Sequence, residues 1–195
     1  MTMLDLHTHH HGRHNAVINL RDGESPADGY IYSAGVHPWD TIVDDDEIER
    51  RLARVAELVR LPHVVAIGEA GLDKLRGASP ERQAEVLRRQ VELSESARKP
   101  MILHVVKAFP EIMALRKSLK PTQQWIIHGF RGKPQLAESL LRAGFDISLG
   151  EHFNPASAAI IPPSRLFAET DESLLPIEEI VDRMPLKPEG VIKRS

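Results

Sequence analysis

The sequence predicts an α/β fold, a compact (β/α)8 barrel of the TIM type, and three observations support that prediction. Eight short apolar runs have the length and composition of buried strands, and eight strands close such a barrel. Amphipathic helix-like segments separate most of the later runs, as in βαβ units that build a parallel sheet. Side chains of the metal-binding type stand at or just beyond the ends of five runs, where such barrels carry their active sites.

The predicted strands recur along the whole chain. Only six residues separate His9 from Ala16, so we expect no helix after the first strand. The eight strands are predicted over Met3–Leu6, Ala16–Leu20, Tyr30–Gly35, Val64–Gly68, Met101–His104, Trp125–His128, Phe145–Leu149 and Leu166–Glu169.

Apolar residues at helical spacing predict four amphipathic helices between the later strands and a short one after the last. Pro110 and Pro134 suit the first turn of a helix, and Gly144 suits the position just beyond a helix end. We expect the helices over Asp45–Arg60, Pro80–Arg98, Phe109–Leu119, Pro134–Ala143 and Ile177–Met184. The expected organisation is one domain over residues 1–195, with the barrel over 3–184 and a shortened C-terminal end that finishes in an irregular tail over 185–195.

Composition narrows the classes of function. The 25 basic residues against 28 acidic ones give a net charge of −3, which offers no general attraction to nucleic acid or to an anionic membrane. The absence of Cys excludes disulfides and Cys-based zinc sites. The sequence contains no signal-peptide pattern and no membrane-spanning apolar run, so we expect a cytoplasmic protein that does not associate with membranes.

Six side chains at the strand ends form the predicted metal site. Because residues two apart in a strand point to the same side, His7 and His9 can both face the barrel axis. The eighth strand of a closed barrel borders the first, so Asp171 can join these two histidines on one ion. A second ion would be held by His104 and His128, with Glu69 bridging both. Four imidazoles and two carboxylates suit Zn²⁺ or Mn²⁺ better than Ca²⁺, with Mg²⁺ as a further option.

Two ions of this kind activate a shared water for hydrolysis. Asp171 is the expected acceptor of the water's proton, and Glu69 is the second expected catalytic residue. Any one of these side chains alone would more often be a structural residue. The five histidines between Leu6 and Asn15 also allow a purification tag, although Thr8, Gly12 and Arg13 interrupt the run.

At these residues the chain resembles TatD-type metal-dependent hydrolases, a branch of the amidohydrolase-like TIM barrels, in a short related subgroup. The resemblance implies the metal roles given above and metal-dependent DNase activity, including trimming at 3′ ends. It rests on Asp5-Leu6-His7-Thr8-His9, Ala34-Gly35-Val36-His37-Pro38, Ala66-Ile67-Gly68-Glu69-Ala70-Gly71-Leu72-Asp73, Arg82-Gln83, Lys99-Pro100-Met101-Ile102-Leu103-His104, Ile127-His128-Gly129-Phe130-Arg131-Gly132 and Glu169-Thr170-Asp171.

Departures from the family pattern lie in the loops that would meet the substrate. Val106 stands where the family often has Arg, Lys74 replaces an aromatic residue, and Gly129 replaces Cys. After Asp171, Glu172-Ser173-Leu174-Leu175 replaces the usual Ala-Pro-Tyr.

We therefore expect a phosphodiesterase that acts on DNA ends, with a hydrolase of a small phosphoester or of a cyclic amide or ester as the alternative. A non-catalytic scaffold or partner protein is the second alternative. The shortened C-terminus would uncover part of the barrel's outer face, which a homo-oligomer would cover.

Four further residues are candidates for contact with the substrate. His37 follows the third strand and is expected to contact the substrate or leaving group, with a structural turn as its alternative role. Lys74, Lys107 and Arg131 follow strands four, five and six, where cations would suit phosphate oxygens. Solvated loop charges are the alternative for all three.

Overall fold

The structure is a computed structural model that describes residues 5–192. Eight parallel strands form a closed barrel in which each strand pairs with its neighbours in the sequence and β8 pairs with β1. The strands are β1 (Asp5–Thr8), β2 (Ala16–Leu20), β3 (Ile31–Ala34), β4 (Val64–Asp73), β5 (Met101–Val106), β6 (Trp125–Ile127), β7 (Asp146–Leu149) and β8 (Leu166–Ala168). The predicted fold class is confirmed.

Helices follow the strands from β3 onward and cover the outside of the barrel. Residues 9–15, between β1 and β2, form turns and no helix, as expected. The α-helices are α1 (Asp45–Leu58), α2 (Pro80–Ala97), α3 (Phe109–Leu119), α4 (Pro134–Arg142), α5 (Pro155–Ala158) and α6 (Ile177–Asp182), and two 3₁₀ helices cover Pro38–Thr41 and Pro163–Arg165. None of the helices that the structure describes is long and apolar enough to cross a membrane.

Several element bounds differ from the predicted ones for local reasons. The first strand was expected over Met3–Leu6 but covers Asp5–Thr8, and Met3 and Leu4 lie outside the described residues. β4 continues five residues past Gly68 because Ala70–Asp73 pair with β5. α2 ends one residue early because Arg98 adopts a left-handed backbone with φ of 53°. α5 and the two 3₁₀ helices were not predicted, although each begins with a proline, a common first helical residue.

The core has two layers. The larger one lies between the strands and the covering helices and includes the buried residues Leu52, Leu87, Ile112 and Leu140 of α1 to α4. The smaller one contains Leu6, Val17, Val65, Ala66, Ile102, Ile126, Phe167 and Ile192. Ile102, Ile126 and Phe167 each stand two residues before a polar residue of the predicted site or its surroundings, and therefore share its side of the strand. The inside of the barrel is thus apolar below a polar upper end.

The chain after α6 returns along the barrel. Ile177, Ile180 and Val181 bury the inner face of α6, and α6 packs against β8. The backbone N–H groups of Glu189 and Gly190 then donate to Pro163 O at 2.8 Å and to Leu166 O at 3.0 Å. Ile192, 7% exposed, packs into the interior cluster. This segment therefore contributes to the barrel's own core.

Candidate metal centre

The structure brings all six predicted metal-type side chains together at the carboxyl end of the barrel. His7 is on β1, Glu69 on β4 and His104 on β5. His128 directly follows β6, and Asp171 stands three residues after β8. His9 lies just beyond β1, so strand and strand-end positions supply the whole cluster.

The Glu69 carboxylate lies at the centre, and its two oxygens face different histidines. Oε2 lies 3.4 Å from His7 Nε2 and 3.0 Å from His9 Nε2. Oε1 lies 2.8 Å from His128 Nε2 and 3.6 Å from His104 Nδ1. The carboxylate therefore separates the four histidines into two pairs, one on each oxygen.

Asp171 joins the first pair through the contact between the last and the first strand. Its Oδ1 lies 3.7 Å from His7 Nε2 and 3.5 Å from His9 Nε2. Its backbone N–H donates to His7 O at 2.9 Å, and the His9 N–H donates to Asp171 O at 3.1 Å. These bonds hold Asp171 with φ of 53°, a left-handed conformation that non-glycine residues seldom adopt.

The donor set fits a divalent cation. His7 is completely buried, and neither of its ring nitrogens has a hydrogen-bond partner among the described residues; the same is true of His9 Nδ1. Buried polar atoms without partners are costly, and a metal ion would satisfy the lone pair of His7 Nε2, the nitrogen that faces Glu69 and Asp171. Donor atoms within 4.8 Å of one another form three overlapping groups: His7 with His9 and Glu69, His7 with His128 and Asp171, and His37 with Glu69 and His104. His37 was expected to contact only the substrate, but its ring also lies within reach of an ion held by Glu69 and His104.

The pKa values of the clustered side chains depend on their burial and on the charges of their neighbours. Burial opposes the charge on Glu69, but His7, His128 and His104 more than offset it and hold the pKa of this carboxyl well below its usual range. Burial likewise opposes the charge on His128, yet Glu69 and Glu169 raise the pKa of its ring well above the usual value. For Asp171 burial prevails and raises the pKa of the carboxyl.

Two buried carboxylates contact the histidines on the side of each ring that faces away from Glu69. The sequence indicated both of them only as parts of motifs. Asp73 Oδ2 lies 3.3 Å from His104 Nε2 and accepts a hydrogen bond from Trp39 Nε1 at 2.6 Å. Glu169 Oε1 lies 3.2 Å from His128 Nδ1 and accepts a bond from the Gly129 N–H at 2.6 Å. Glu169 stands two residues before Asp171, which is the spacing that could have suggested it.

An amide fixes the backbone of the central carboxylate. Asn19 Oδ1 accepts hydrogen bonds from the Glu69 N–H at 2.9 Å and from Ser33 Oγ at 3.2 Å. β2 and β3 therefore help to place Glu69, although neither supplies a member of the cluster.

The cluster opens into a cleft of about 530 Å³. His37 lines it, with Nε2 3.7 Å from Glu69 Oε1 and with Nδ1 accepting a bond from the Trp39 N–H at 3.1 Å. Trp39, Arg21 and Arg51 also line the cleft and were not predicted as site residues. Burial and the Arg21 charge lower the pKa of the His9 ring, but Glu69 and Asp171 outweigh them and raise it overall.

The three predicted phosphate-binding cations lie further out. Lys74 pairs with Glu111 at 2.5 Å and lines a groove between α2 and α3. Lys107 is exposed at the end of β5, with φ of 56°. Arg131 lines a crevice of about 310 Å³ that shares Asp171 and Glu172 with the main cleft.

Comparison with known proteins gives a consistent result. The family model described as TatD related DNase matches residues 2–189. The chain is 33% identical over 168 residues to the 3′-5′ ssDNA/RNA exonuclease TatD of Erwinia billingiae, covering 80% of this chain and 63% of that protein. It is 34% identical over 152 residues to the uncharacterized metal-dependent hydrolase YabD of Bacillus subtilis, covering 73% of this chain and 58% of that protein.

A solved structure shares the fold. The crystal structure of the TatD homolog YjjV from Escherichia coli K12 superposes with a TM-score of 0.68 at 26% identity, covering 82% of this chain and 68% of that one. In the two sequence comparisons the chain spans 63% and 58% of its relatives' length.

Proposed function

The chain belongs to the family of TatD-related DNases, and from that premise we propose that it is a divalent-metal-dependent hydrolase that cleaves phosphodiester bonds at the ends of single-stranded nucleic acid. The observation that carries this proposal is the Glu69 carboxylate, whose two oxygens each face a separate pair of histidines. A structural salt bridge would not leave both ring nitrogens of buried His7 without hydrogen bonds.

Two ions are proposed to share this cluster. His7, His9 and Asp171 would hold one, His104 and His128 the other, and Glu69 would contact both. Nitrogen-rich donors favour Zn²⁺ or Mn²⁺, with Mg²⁺ as a further option. When bound, such ions lower the pKa of a coordinated water and stabilise negative charge on a phosphoryl group.

Asp171 is proposed to accept the proton of the attacking water. Its side chain is 30% exposed at the edge of the cleft, whereas Glu69 is 5% exposed. A carboxylate that reaches both the cluster and the cleft can take a proton from a water held between them. Glu69, fixed at its backbone by Asn19, keeps the two halves of the site in position.

His37 and the cleft arginines are proposed to orient the phosphodiester. Because His37 Nδ1 accepts the Trp39 N–H, a neutral ring carries its proton on Nε2 and can donate it to an oxygen in the cleft. Arg21 lines the same cleft and Arg131 the adjoining crevice, so both can attract phosphate oxygens. Contact of Lys74 or Lys107 with the nucleic acid beyond the cleft stays a prediction.

A small phosphoester or a cyclic amide or ester is the second candidate substrate. Asp22, Asp40 and Glu172 also line the cleft, and their negative charge opposes the binding of a polyanion.

A cytoplasmic location and self-association of the chain stay predictions as well.

The test is hydrolysis of end-labelled single-stranded DNA and RNA beside bis-p-nitrophenyl phosphate, with Zn²⁺, Mn²⁺ or Mg²⁺ supplied in turn. Glu69→Gln keeps the size of the side chain and removes the charge, and we expect activity to fall at least about 100-fold. Glu178→Gln, an exposed position on α6, is the matched control. Undiminished activity in Glu69→Gln would contradict the metal mechanism, whereas cleavage of the small ester alone would favour the second candidate.

A further inference from the structure

Trp39 is a large aromatic residue left exposed beside the metal-type cluster. It is 43% exposed, whereas the only other tryptophan, Trp125, is completely buried. Trp39 lines the same cleft as Glu69, His104 and His128. An indole that is exposed in this way leaves part of its apolar ring in contact with water. That surface gains apolar contact when a flat ligand packs against it.

The ring is fixed before any ligand binds. Its Nε1 donates to Asp73 Oδ2 at 2.6 Å, and the same carboxylate oxygen lies 3.3 Å from His104 Nε2. The ring centroid lies 4.8 Å from that of His37 and 5.7 Å from that of His104, both in edge-to-face geometry. A side chain that is already ordered costs less conformational entropy on binding.

A cation lies over the exposed ring. The Arg76 guanidinium carbon is 4.5 Å from the Trp39 ring centroid, and Arg76 itself is exposed. Trp39 keeps its exposed surface with the guanidinium in place. Aromatic rings combined with arginines form the stacking surfaces on which proteins hold unpaired bases.

We propose that Trp39 is the stacking platform for a nucleobase next to the scissile phosphate, with Arg76 beside it. This inference rests on the proposed hydrolysis of nucleic-acid ends and identifies what the site recognises beyond the phosphate. The phosphate would lie at the histidine cluster while the neighbouring base lies on the indole, because the Trp39 ring contacts His37 and His104 directly.

The platform accounts for a preference for single strands with little preference for sequence. Every base has a face that can stack, so the contact tolerates all four bases. A base inside a duplex has both faces covered by its neighbours, so an unpaired end offers more base surface to the indole than a paired end does.

The test uses three oligonucleotides that differ only at the two nucleotides flanking the terminal phosphodiester. In one oligonucleotide both nucleotides are normal, and in each of the other two a different one of them lacks its base. For the wild type we expect KM to rise about 5- to 100-fold when the stacked base is missing. Trp39→Leu should bind the normal and the abasic ends equally well, because it has no ring. Trp39→Phe keeps a ring but loses the bond to Asp73, so it should keep most of the discrimination. Ile42→Ala, also exposed near this end of the barrel, is the control and should behave as the wild type.

Fluorescence gives an independent readout in the presence of chelator. Binding of single-stranded DNA should quench the wild type, and Trp39→Phe, which keeps only buried Trp125, should not respond. Equal KM for normal and abasic ends in the wild type, or discrimination retained in Trp39→Leu, overturns the stacking role and leaves the hydrolase function intact. A structural role through Asp73 would instead make Trp39→Phe as defective as Trp39→Leu on all substrates, which also overturns the inference. Quenching without cleavage would support the stacking role and contradict the proposed hydrolase function. The absence of both quenching and cleavage would contradict both proposals.

Discussion

His128 Nδ1 lies 3.2 Å from Glu169 Oε1, on the side of the ring that faces away from Glu69. The other ring nitrogen, Nε2, lies 2.8 Å from Glu69 Oε1. A carboxylate on one imidazole nitrogen fixes the ring orientation and leaves the lone pair of the other nitrogen for a metal ion. Glu169 is completely buried and also accepts the Gly129 N–H at 2.6 Å, so its own position is fixed.

We therefore expect Glu169→Gln to weaken metal binding about 10- to 100-fold without unfolding the protein. The amide oxygen can still accept from Gly129, but the negative charge behind His128 is lost. Competition with a chromophoric chelator measures the affinity, and Glu178→Gln on the surface of α6 serves as the control. Equal affinities in Glu169→Gln and the wild type would show that the contact is only structural.

Removal of metal should lower stability, because the ions bind the folded site and not the unfolded chain. At a free metal concentration 100 times the Kd, the stabilisation is about 2.7 kcal/mol. We expect the Tm of chelator-treated protein to rise when Zn²⁺ or Mn²⁺ is restored, and to rise less in Glu69→Gln. Calorimetric scans with and without metal provide the measurement, and a Tm that does not respond would argue against a bound ion.

Gly71 should resist substitution because its backbone crosses close to β5. A Cβ atom there would lie 1.9 Å from the carbonyl oxygen of His104, and φ is 147°. Gly71→Ala should therefore cost about 3 kcal/mol or more in the free energy of unfolding. Gly23→Ala is the matched control, since φ is 83° there but nothing lies within 4 Å of the added atom. It should cost about 1–2 kcal/mol from backbone strain alone. Urea unfolding separates the two, and equal losses would show that β4 and β5 can move apart freely.

The Lys99 ammonium group joins the end of α1 to the start of β4. It donates to Val59 O, to Leu61 O at 3.0 Å and to Val64 O at 2.5 Å. Lys99→Met keeps the length of the side chain but removes all three bonds, which should cost about 3 kcal/mol of stability. Lys117→Met, on the exposed face of α3, should change stability by less than about 0.5 kcal/mol. Similar denaturation midpoints for the two variants would mean that water satisfies these carbonyls.

The sequence predicted the barrel because each strand carries its own local signal. Ala16–Leu20 is apolar throughout and has the predicted bounds. No such signal is present over Glu69 to Asp73, because a short run with two carboxylates and Gly71 is typical of a loop. Pairing with β5, which lies about 30 residues further along the chain, keeps these residues in the strand.

The candidate site was predictable to the extent that strand ends determine it. Residues at strand ends converge in any closed parallel barrel, so His7, Glu69 and His104 could be placed together in advance. The contacts of Asp73 and Glu169 depend on side-chain directions and on the register between strands. Trp39 was missed because it lies in a single 3₁₀ turn, which is too short to show a periodicity that distinguishes the residue from its neighbours.

Closure between Asp171 and the first strand has a consequence for the order of folding. Thr8 Oγ1 lies 3.3 Å from Asp171 O, across 163 residues of sequence. Contacts between residues so far apart require a large loss of chain entropy and form late. During synthesis His7 and His9 emerge long before Asp171 does, so a growing chain holds an incomplete site for most of its elongation. The metal-type cluster is therefore expected to be completed in the last step of folding, when the barrel closes.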